Sequence, residues 1–541
     1  MSKAGNAGAN VSQDAGAPSV SMVEQRNNAV AGRVDGASGG LARFGRRSKS
    51  ASSTLRPPLT AVACHVPGLA ANAMGWEILS FEAHGERVEL SVPRLTPEQL
   101  ADVADRVAAS SQDVIATLPV MDVVDAIDRA VARLLDVDNP DRQLLERLLP
   151  IITGFDREMV RSGLNAALKS FRRPQLLRFL VEDFGDPGLL DDFRPRVKGG
   201  WTKAYGPRLL GHVWAGNVPA LPLWSMVAGL LVKGGNIGKV SSDEPLFAGV
   251  FARVLAEVEP GLADALAVLW WPGSDTAMAQ ALCGKVDVLM VYGGNPALAA
   301  WQQHVPPGVR FLPHGHKISA GLVAVSALDA RQSQTTARLA ALDMVRWDQQ
   351  GCYSPQVFYV ERGAQVTPRA FAHLVAGELA AQHYRFGRRA LSLEETASMA
   401  AWRQRLDFQA MQDDRVSIIG PADAPWSLAF LDLPQPPPPS ALNRSACVVA
   451  VDRLDDVAAL LAHHRAHLQT VGVAASPERL FQLAPQLAAA GATRICGLGS
   501  MATPEVGWHH DGRFSLLDLV RMVDIEASAE TLAEAHASYR D

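Results

Sequence analysis

Between residues 207 and 330 short apolar runs alternate with helical ones, and this alternation limits what the chain can fold into. "PRLLGHVWAGNVP" reads as a strand ending in a Gly-Asn-Val-Pro turn, and the apolar helix Leu221–Val232 follows it. "GGNIGKVSS" is a second strand and "DEPLFAGVFARVLAEVEPGLADAL" a helix; "AVLWWPG", "DTAMAQALCGK" and "VDVLMVYGG" continue as strand, helix and strand. Strands separated by helices pair in parallel, so the predicted class is α/β, with doubly wound parallel sheets. Ligands of such sheets sit beyond the carboxyl ends of the strands. Asn217, Lys239 with Ser241 and Ser242, and Gly293 with Gly294 all fall at those ends. No G-x-G-x-x-G opens a helix here, so any dinucleotide must be held another way.

Order is predicted from Pro57-Pro58 onward, with "LTAVACHV" as a first strand. Helical patterns fill residues 96–180, the first opening on Thr96 in a capping-box sequence. "LPQPPPPS" (433–440) is a stiff polyproline connection. The longest apolar run, Leu221–Val232, has 12 residues, short of the ~20 that span a bilayer. Residues 1–58 are small, polar and locally basic ("RFGRRSKSASS"), with no apolar core of a secretory signal. Their Arg and Ser content suits an organelle transit peptide, but Asp14, Glu24 and Asp35 oppose it, and a disordered tail is expected.

A net charge of −5 argues against a nucleic-acid partner. Five dispersed cysteines, with no C-x-x-C pair and no histidine cluster beside them, argue against a disulfide framework or a metal site. They suit a reducing compartment, so a cytoplasmic location is expected.

One of the five has unusual surroundings. "DQQGCYSPQ" (348–356) places Cys352 between a helical run, Gln334–Trp347, and a strand, Gln356–Val360. A thiol with pKa near ~8.5 is only a few per cent thiolate at neutral pH, and flanking amide donors are expected to raise that fraction. On these residues alone, a packed thiol and a nucleophile both fit.

Five stretches occur in a telling order: "AGNVPALPLW" (215–224), "GKVSSDEP" (238–245), "VYGGN" (291–295), "HGHKIS" (314–319) and "DQQGCYSPQ". Together they resemble the aldehyde dehydrogenase superfamily, and within it the fatty acyl-CoA reductases of bacterial luminescence, over roughly residues 60–530. The resemblance implies two doubly wound domains with the active site between them: 59–320 for the dinucleotide and 321–515 for catalysis, with 516–541 a C-terminal helix. It implies that Cys352 takes the acyl group. Asn217, in a turn where the family has Asn-Phe-Pro, would form an oxyanion hole with the Cys352 N–H. Lys239 would hold the adenosine ribose.

Ser242 stands where the family's ribose-binding glutamate is found, so Lys239, Ser241 and Ser242 would favour a 2′-phosphate and NADPH; Asp243 and Glu244 argue the other way. Gly293 would let the backbone approach the cofactor. Residues 312–321 lack the glutamate with which hydrolytic relatives activate water, and offer His314 and His316 instead. A histidine there would serve the thiol leaving group; at most one is expected to do so, and alignment favours His314. In "WHHDGRFSLLDLVRMVDIE" (508–526), His510, Asp511 and Gly512 would either line a substrate tunnel or, with Ser515, begin a helix at Leu516.

The implied reaction is NADPH-dependent reduction of a fatty acyl-CoA or acyl-protein thioester to the aldehyde through an acyl-cysteine. Two alternatives stay open: oxidative acylation of an aldehyde by CoA, and a non-redox acyl carrier. An acyl-protein synthetase partner and a homo-oligomer follow from the resemblance alone.

Overall fold

In the computed structural model, which describes residues 57–538, the chain begins with β1 (Leu59–Val62), β2 (Gly75–Ala83) and β3 (Glu86–Arg94). They form a three-stranded sheet with β3 in the middle. The tail expected over 1–58 lies outside the described residues, Pro57 and Pro58 excepted. The helix Pro97–Asp113 then starts on a true capping box, in which Thr96 Oγ1 accepts from the Gln99 N–H and Gln99 Oε1 accepts from the Thr96 N–H. Four more helices, Val120–Leu135, Pro140–Thr153, Arg157–Lys169 and Arg173–Phe184, complete the helical block. Two short strands, β4 (Arg194–Pro195) and β5 (Trp201–Tyr205), follow.

The alternating region builds β6 (Leu209–Val213), β7 (Gly235–Lys239), β8 (Leu266–Leu269), β9 (Val288–Tyr292) and β10 (Arg310–His314). All pair in parallel, in the order β10-β9-β6-β7-β8. From β6 the chain winds outward through β7 to β8, then returns to β9 and β10 on the other flank. The direction reverses between β6 and β9, so a crevice opens at their carboxyl ends. Asn217 and Gly293 lie there. The helix Leu221–Leu231 has no polar face because it is buried almost all round.

Three residues, Gly315–Lys317, carry the chain into a second sheet. It comprises β11 (Ile318–Val323), β12 (Val357–Glu361), β13 (Val416–Ile419), β14 (Ser427–Leu431), β15 (Ser445–Val451), β16 (Leu468–Ala474) and β17 (Arg494–Gly497). Their order is β13-β14-β15-β12-β11-β16-β17, parallel except for β13. The two sheets thus meet slightly before the expected boundary at 320/321, because β11 already belongs to the second.

The end of the chain departs from the expected helix over 516–541. Leu517–Leu519 is a single 3-10 turn, β18 (Arg521–Ile525) pairs antiparallel with β5, and only Ala527–Glu534 is helical. Two physical reasons account for this. The N–H groups of Leu516 and Leu517 are taken by the carboxylate of Asp183, on a distant helix, at 2.6 and 3.1 Å, so neither Asp511 nor Ser515 caps a local helix. The run Arg521–Ile525 instead finds the free edge of β5. Among the described residues no helix is long and apolar enough to cross a membrane.

Candidate active site

Cys352 lies in the turn between the helix Ser333–Val345 and β12. The second sheet grips this turn from below: Ser319 Oγ, on β11, donates to the Cys352 carbonyl at 2.9 Å. From the first sheet, Asn217 Nδ2 donates to the Gln350 carbonyl at 2.7 Å. An amide nitrogen carries two hydrogens, so Asn217 ties down the nucleophile turn with one and keeps the other. Gly351 is required by Tyr353, whose ring would lie 2.3 Å from a Cβ at that position. The tyrosine beside the nucleophile is therefore the packing lid of its own turn.

The thiol does not have the raised thiolate fraction expected from its sequence. Burial, helped by the negative charge of Asp511, pushes Cys352 up to about 11, against the pull of Gln469 and Lys317. Cys64, Cys283 and Cys496 are raised to about 11 by burial as well. Acidity therefore does not set Cys352 apart; its neighbours do. A protonated thiol needs a base.

β10 ends on His314. His314 Nδ1 lies 3.0 Å from Asp511 Oδ2. Burial alone would raise the Asp511 carboxyl, but the hydrogen bonds from His314 and the Gln469 amide hold it well below the usual carboxylate range. An ionised carboxylate only accepts, so the hydrogen of this bond sits on Nδ1, and Nε2 is the ring nitrogen left for another partner. Asp511 itself sits at φ 55°, in the left-handed region that Asp visits more readily than most residues. Gln469 donates to its other oxygen at 2.7 Å, while Lys317 Nζ approaches that oxygen to 3.3 Å.

The His314 ring stacks against Tyr292 (4.6 Å) and His510 (4.4 Å), which also lie 6.2 Å from each other. Burial and then His467 lower the pKa of His316. His314, His510 and Asp511 offer ligand atoms within 4.8 Å of one another. The two imidazole planes are only 15° from parallel, so their in-plane lone pairs run side by side and do not converge on one ion. Burial and the nearby His314 depress His510 to about 3, with Asp511 opposing, and keep it neutral.

The proposed cofactor residues fall at the carboxyl ends of β7 and β9. Lys239 is 8% exposed, and its Nζ makes one hydrogen bond, to the Val240 carbonyl at 3.3 Å. Burial lowers its pKa to about 8, with Asp243 opposing. An ammonium with three donors and so little company suits an anionic group. Ser241 Oγ donates to Asp243 at 3.3 Å, and Ser242 Oγ accepts from Trp270 Nε1 at 3.1 Å. Glu244 is engaged elsewhere: it caps the helix Leu246–Val258 through the Leu246 and Phe247 N–H groups. Gly216 is pressed against this turn, since a Cβ there would lie 2.7 Å from Asp243 Cβ. Gly293 receives the end of β9 and donates to the His314 carbonyl at 3.2 Å; Gly294 precedes the helix Asn295–Gln302 with no side-chain cap.

Beyond His314 an apolar cleft runs between Trp224, Ala228, Met290, Leu312 and Phe514. Its free space is about 50 Å³, room for a few water molecules. Sequence reasoning had singled out Cys352, Asn217 and His314, which the fold brings to one place. It had left Asp511 undecided and missed Gln469 and Ser319, which are isolated in the chain and reach the site only through sheet pairing.

Against known proteins, the profile of the acyl-CoA reductase (LuxC) family matches residues 115–522. The chain belongs to the LuxC acyl-CoA reductase family. A long-chain acyl-protein thioester reductase from Photorhabdus laumondii subsp. laumondii is 26% identical over 363 residues, 65% of this chain and 70% of that one. One from Vibrio harveyi is 24% identical over 390 residues, 71% and 78% of the two chains. Among solved structures, aldehyde dehydrogenase 21 from Physcomitrella patens superposes with a TM-score of 0.67 at 12% identity, over 87% of this LuxC-family chain and 99% of its own. An NADP-dependent glyceraldehyde-3-phosphate dehydrogenase from Bacillus halodurans C-125 gives 0.63 at 12% identity, over 84% and 96%. At such identities the likeness establishes the fold, which is that of the aldehyde dehydrogenases.

Proposed function

We propose that this LuxC-family chain is an oxidoreductase that reduces long-chain fatty acyl thioesters, of CoA or of a carrier protein, to aldehydes with NADPH. The observation that carries the reading is the meeting of Cys352, Asn217 and the His314–Asp511 pair in one site, in a chain with no glutamate between 312 and 321. Cys352 Sγ attacks the thioester carbonyl as its proton passes to His314 Nε2. The oxyanion is met by the Cys352 N–H and the remaining Asn217 hydrogen, donors of a kind worth a few kcal/mol. The tetrahedral adduct collapses with loss of the carrier thiolate, which takes the proton back from His314. The acyl group now rests on Cys352 with no carboxylate in 312–321 to activate water, so it persists.

Reduced nicotinamide, when bound, supplies the hydride that converts the acyl thioester to the aldehyde level. Lys239 and Ser241 would hold the cofactor's 2′-phosphate, since Glu244 is committed to a helix cap and leaves Asp243 as the nearby carboxylate. Gly293 and Gly294 would lie beneath the pyrophosphate, where small residues permit close approach. The acyl tail would enter the cleft beside His314, with Trp224 and Phe514 turning aside, because the resting space is too small for it.

NADPH consumption measured against acyl-CoAs of graded length, with aldehyde identified as product, tests the reading. Aldehyde formation that is fastest with long chains is expected; free fatty acid as the product would refute it.

A further inference from the structure

Two segments of backbone adopt a conformation that residues other than glycine avoid. Trp347, Asp348 and Gln349 have φ of 51°, 48° and 67°, and Leu442, Asn443 and Arg444 have φ of 53°, 53° and 68°. Three consecutive left-handed residues survive only where their side chains over-determine them. The triplets do this for each other. Arg444 Nε donates to Asp348 Oδ1 at 2.6 Å, both side chains being buried, and Gln350 Nε2 donates to Asn443 Oδ1 at 2.8 Å.

Between these two ties the Gln349 amide uses both of its donor hydrogens and its carbonyl oxygen. Oε1 accepts from the Ser445 N–H at 2.9 Å, and Nε2 donates to the Ser445 carbonyl at 2.9 Å and the Pro355 carbonyl at 2.6 Å. Residue 349 is three positions before Cys352 and residue 355 three after it. One fully buried side chain therefore closes the turn on both sides of the nucleophile and fastens it to β15. Asn217 and Ser319 hold the same turn only at single carbonyls, those of Gln350 and Cys352.

We propose that Gln349 is a positioning residue for the nucleophile: by closing the turn 349–355 it fixes the Cys352 N–H and sulfur against Asn217, and so builds the oxyanion site. The ordinary alternative is an amide that merely satisfies a buried turn. The difference lies in coupling. A positioning residue acts through the oxyanion geometry, so its loss and the loss of Asn217 remove the same thing; a structural residue acts independently. The proposal rests on Cys352 being the acyl acceptor.

Single-turnover acylation by a long-chain acyl-CoA, without NADPH, decides it in the full chain. Gln349→Met keeps the volume and removes all three hydrogen bonds. Its acylation rate is expected to fall roughly 10- to 100-fold, the effect of a small misplacement of reacting groups, with the half-saturating acyl-CoA concentration changed by less than about twofold. Added to Asn217→Ala it is expected to cost far less than the product of the two single losses. Acylation at the wild-type rate in Gln349→Met, or losses that multiply in full, would overturn the proposal. Should Gln349→Met fail to fold, Gln349→Glu, which keeps the acceptor for Ser445 and loses the paired donors, carries the same expectations. Cys352→Ala run alongside separates the two ideas: persistent acylation there defeats the reading of the site, whereas its loss together with an unaffected Gln349→Met defeats only this inference.

Discussion

At the scale of single residues, the thiol of Cys352 is not acidic, and the site works only if a base removes its proton. His314 can do so because Asp511 takes its Nδ1 hydrogen and leaves Nε2 free. Asp511→Asn, whose amide can offer a donor where a carboxylate could only accept, is expected to lower the acylation rate on the order of 100-fold, within the range for losing acid–base catalysis. Stopped-flow release of CoA thiol measures it. Lys239 makes a separate prediction with a definite sign. Burial depresses its pKa to about 8, so the charged form is present below that pH and lost above it. The KM for NADPH is therefore expected to rise as pH climbs through about 8, whereas in Lys239→Met it should be higher and flat. Steady-state titrations across that window check both. These residues differ in how readable they were. Cys352, Asn217 and His314 each sit in a short turn whose composition already suggests chemistry. Asp511 fitted a tunnel wall and a helix cap equally well, because nothing local reveals that its carboxylate crosses to a histidine almost two hundred residues earlier.

At the scale of elements, alternation of apolar runs predicted four of the five strands of the first sheet, each buried almost throughout, and missed β10, whose Arg310 and Pro313 are exposed. The C-terminal segment escaped this reasoning. Its residues are compatible with helix or strand, and the choice was made by the open edge of β5 and by Asp183, both remote in sequence. Packing between elements also reaches the nucleophile. The helix Arg157–Lys169 presents Gly163 to Trp347, where an added Cβ would lie 2.1 Å from the indole. Gly163→Ala should therefore displace the first residue of the left-handed triplet. A stability loss of about 1–3 kcal/mol, as for other overpacked sites, and a fall in acylation rate are expected from thermal denaturation and single-turnover assays. On the helix Leu221–Leu231, Ala228 faces the apolar cleft. Ala228→Leu adds about three carbons to that wall and should exclude about as many methylenes of the acyl chain. At ~0.8 kcal/mol for each, kcat/KM for the longest acyl-CoAs should fall roughly 50-fold while short ones are spared, as a chain-length series would reveal.

At the scale of the whole molecule, two parallel sheets face each other across the site, and each supplies a different part of the chemistry. The first gives Asn217, Lys239, Gly293 and His314 from the ends of its strands; the second gives the Cys352 turn, Ser319 and Gln469. Asp511 returns from the far end of the chain to join them, so no contiguous piece contains the reaction centre. This division explains why the motifs were informative together though each was weak: the fold gathers strand ends that are scattered in sequence, in the spatial order β10-β9-β6-β7, at one crevice. The central claim is that Cys352 carries the acyl group between thioester and aldehyde. Intact-protein and peptide mass spectrometry after mixing with a long-chain acyl-CoA, before and after NADPH is added, tests it most directly. The predicted result is one acyl adduct on the Cys352 peptide that forms without NADPH and disappears with it as aldehyde is released. An adduct on another residue, or aldehyde formed at the full rate by Cys352→Ala, would contradict the claim.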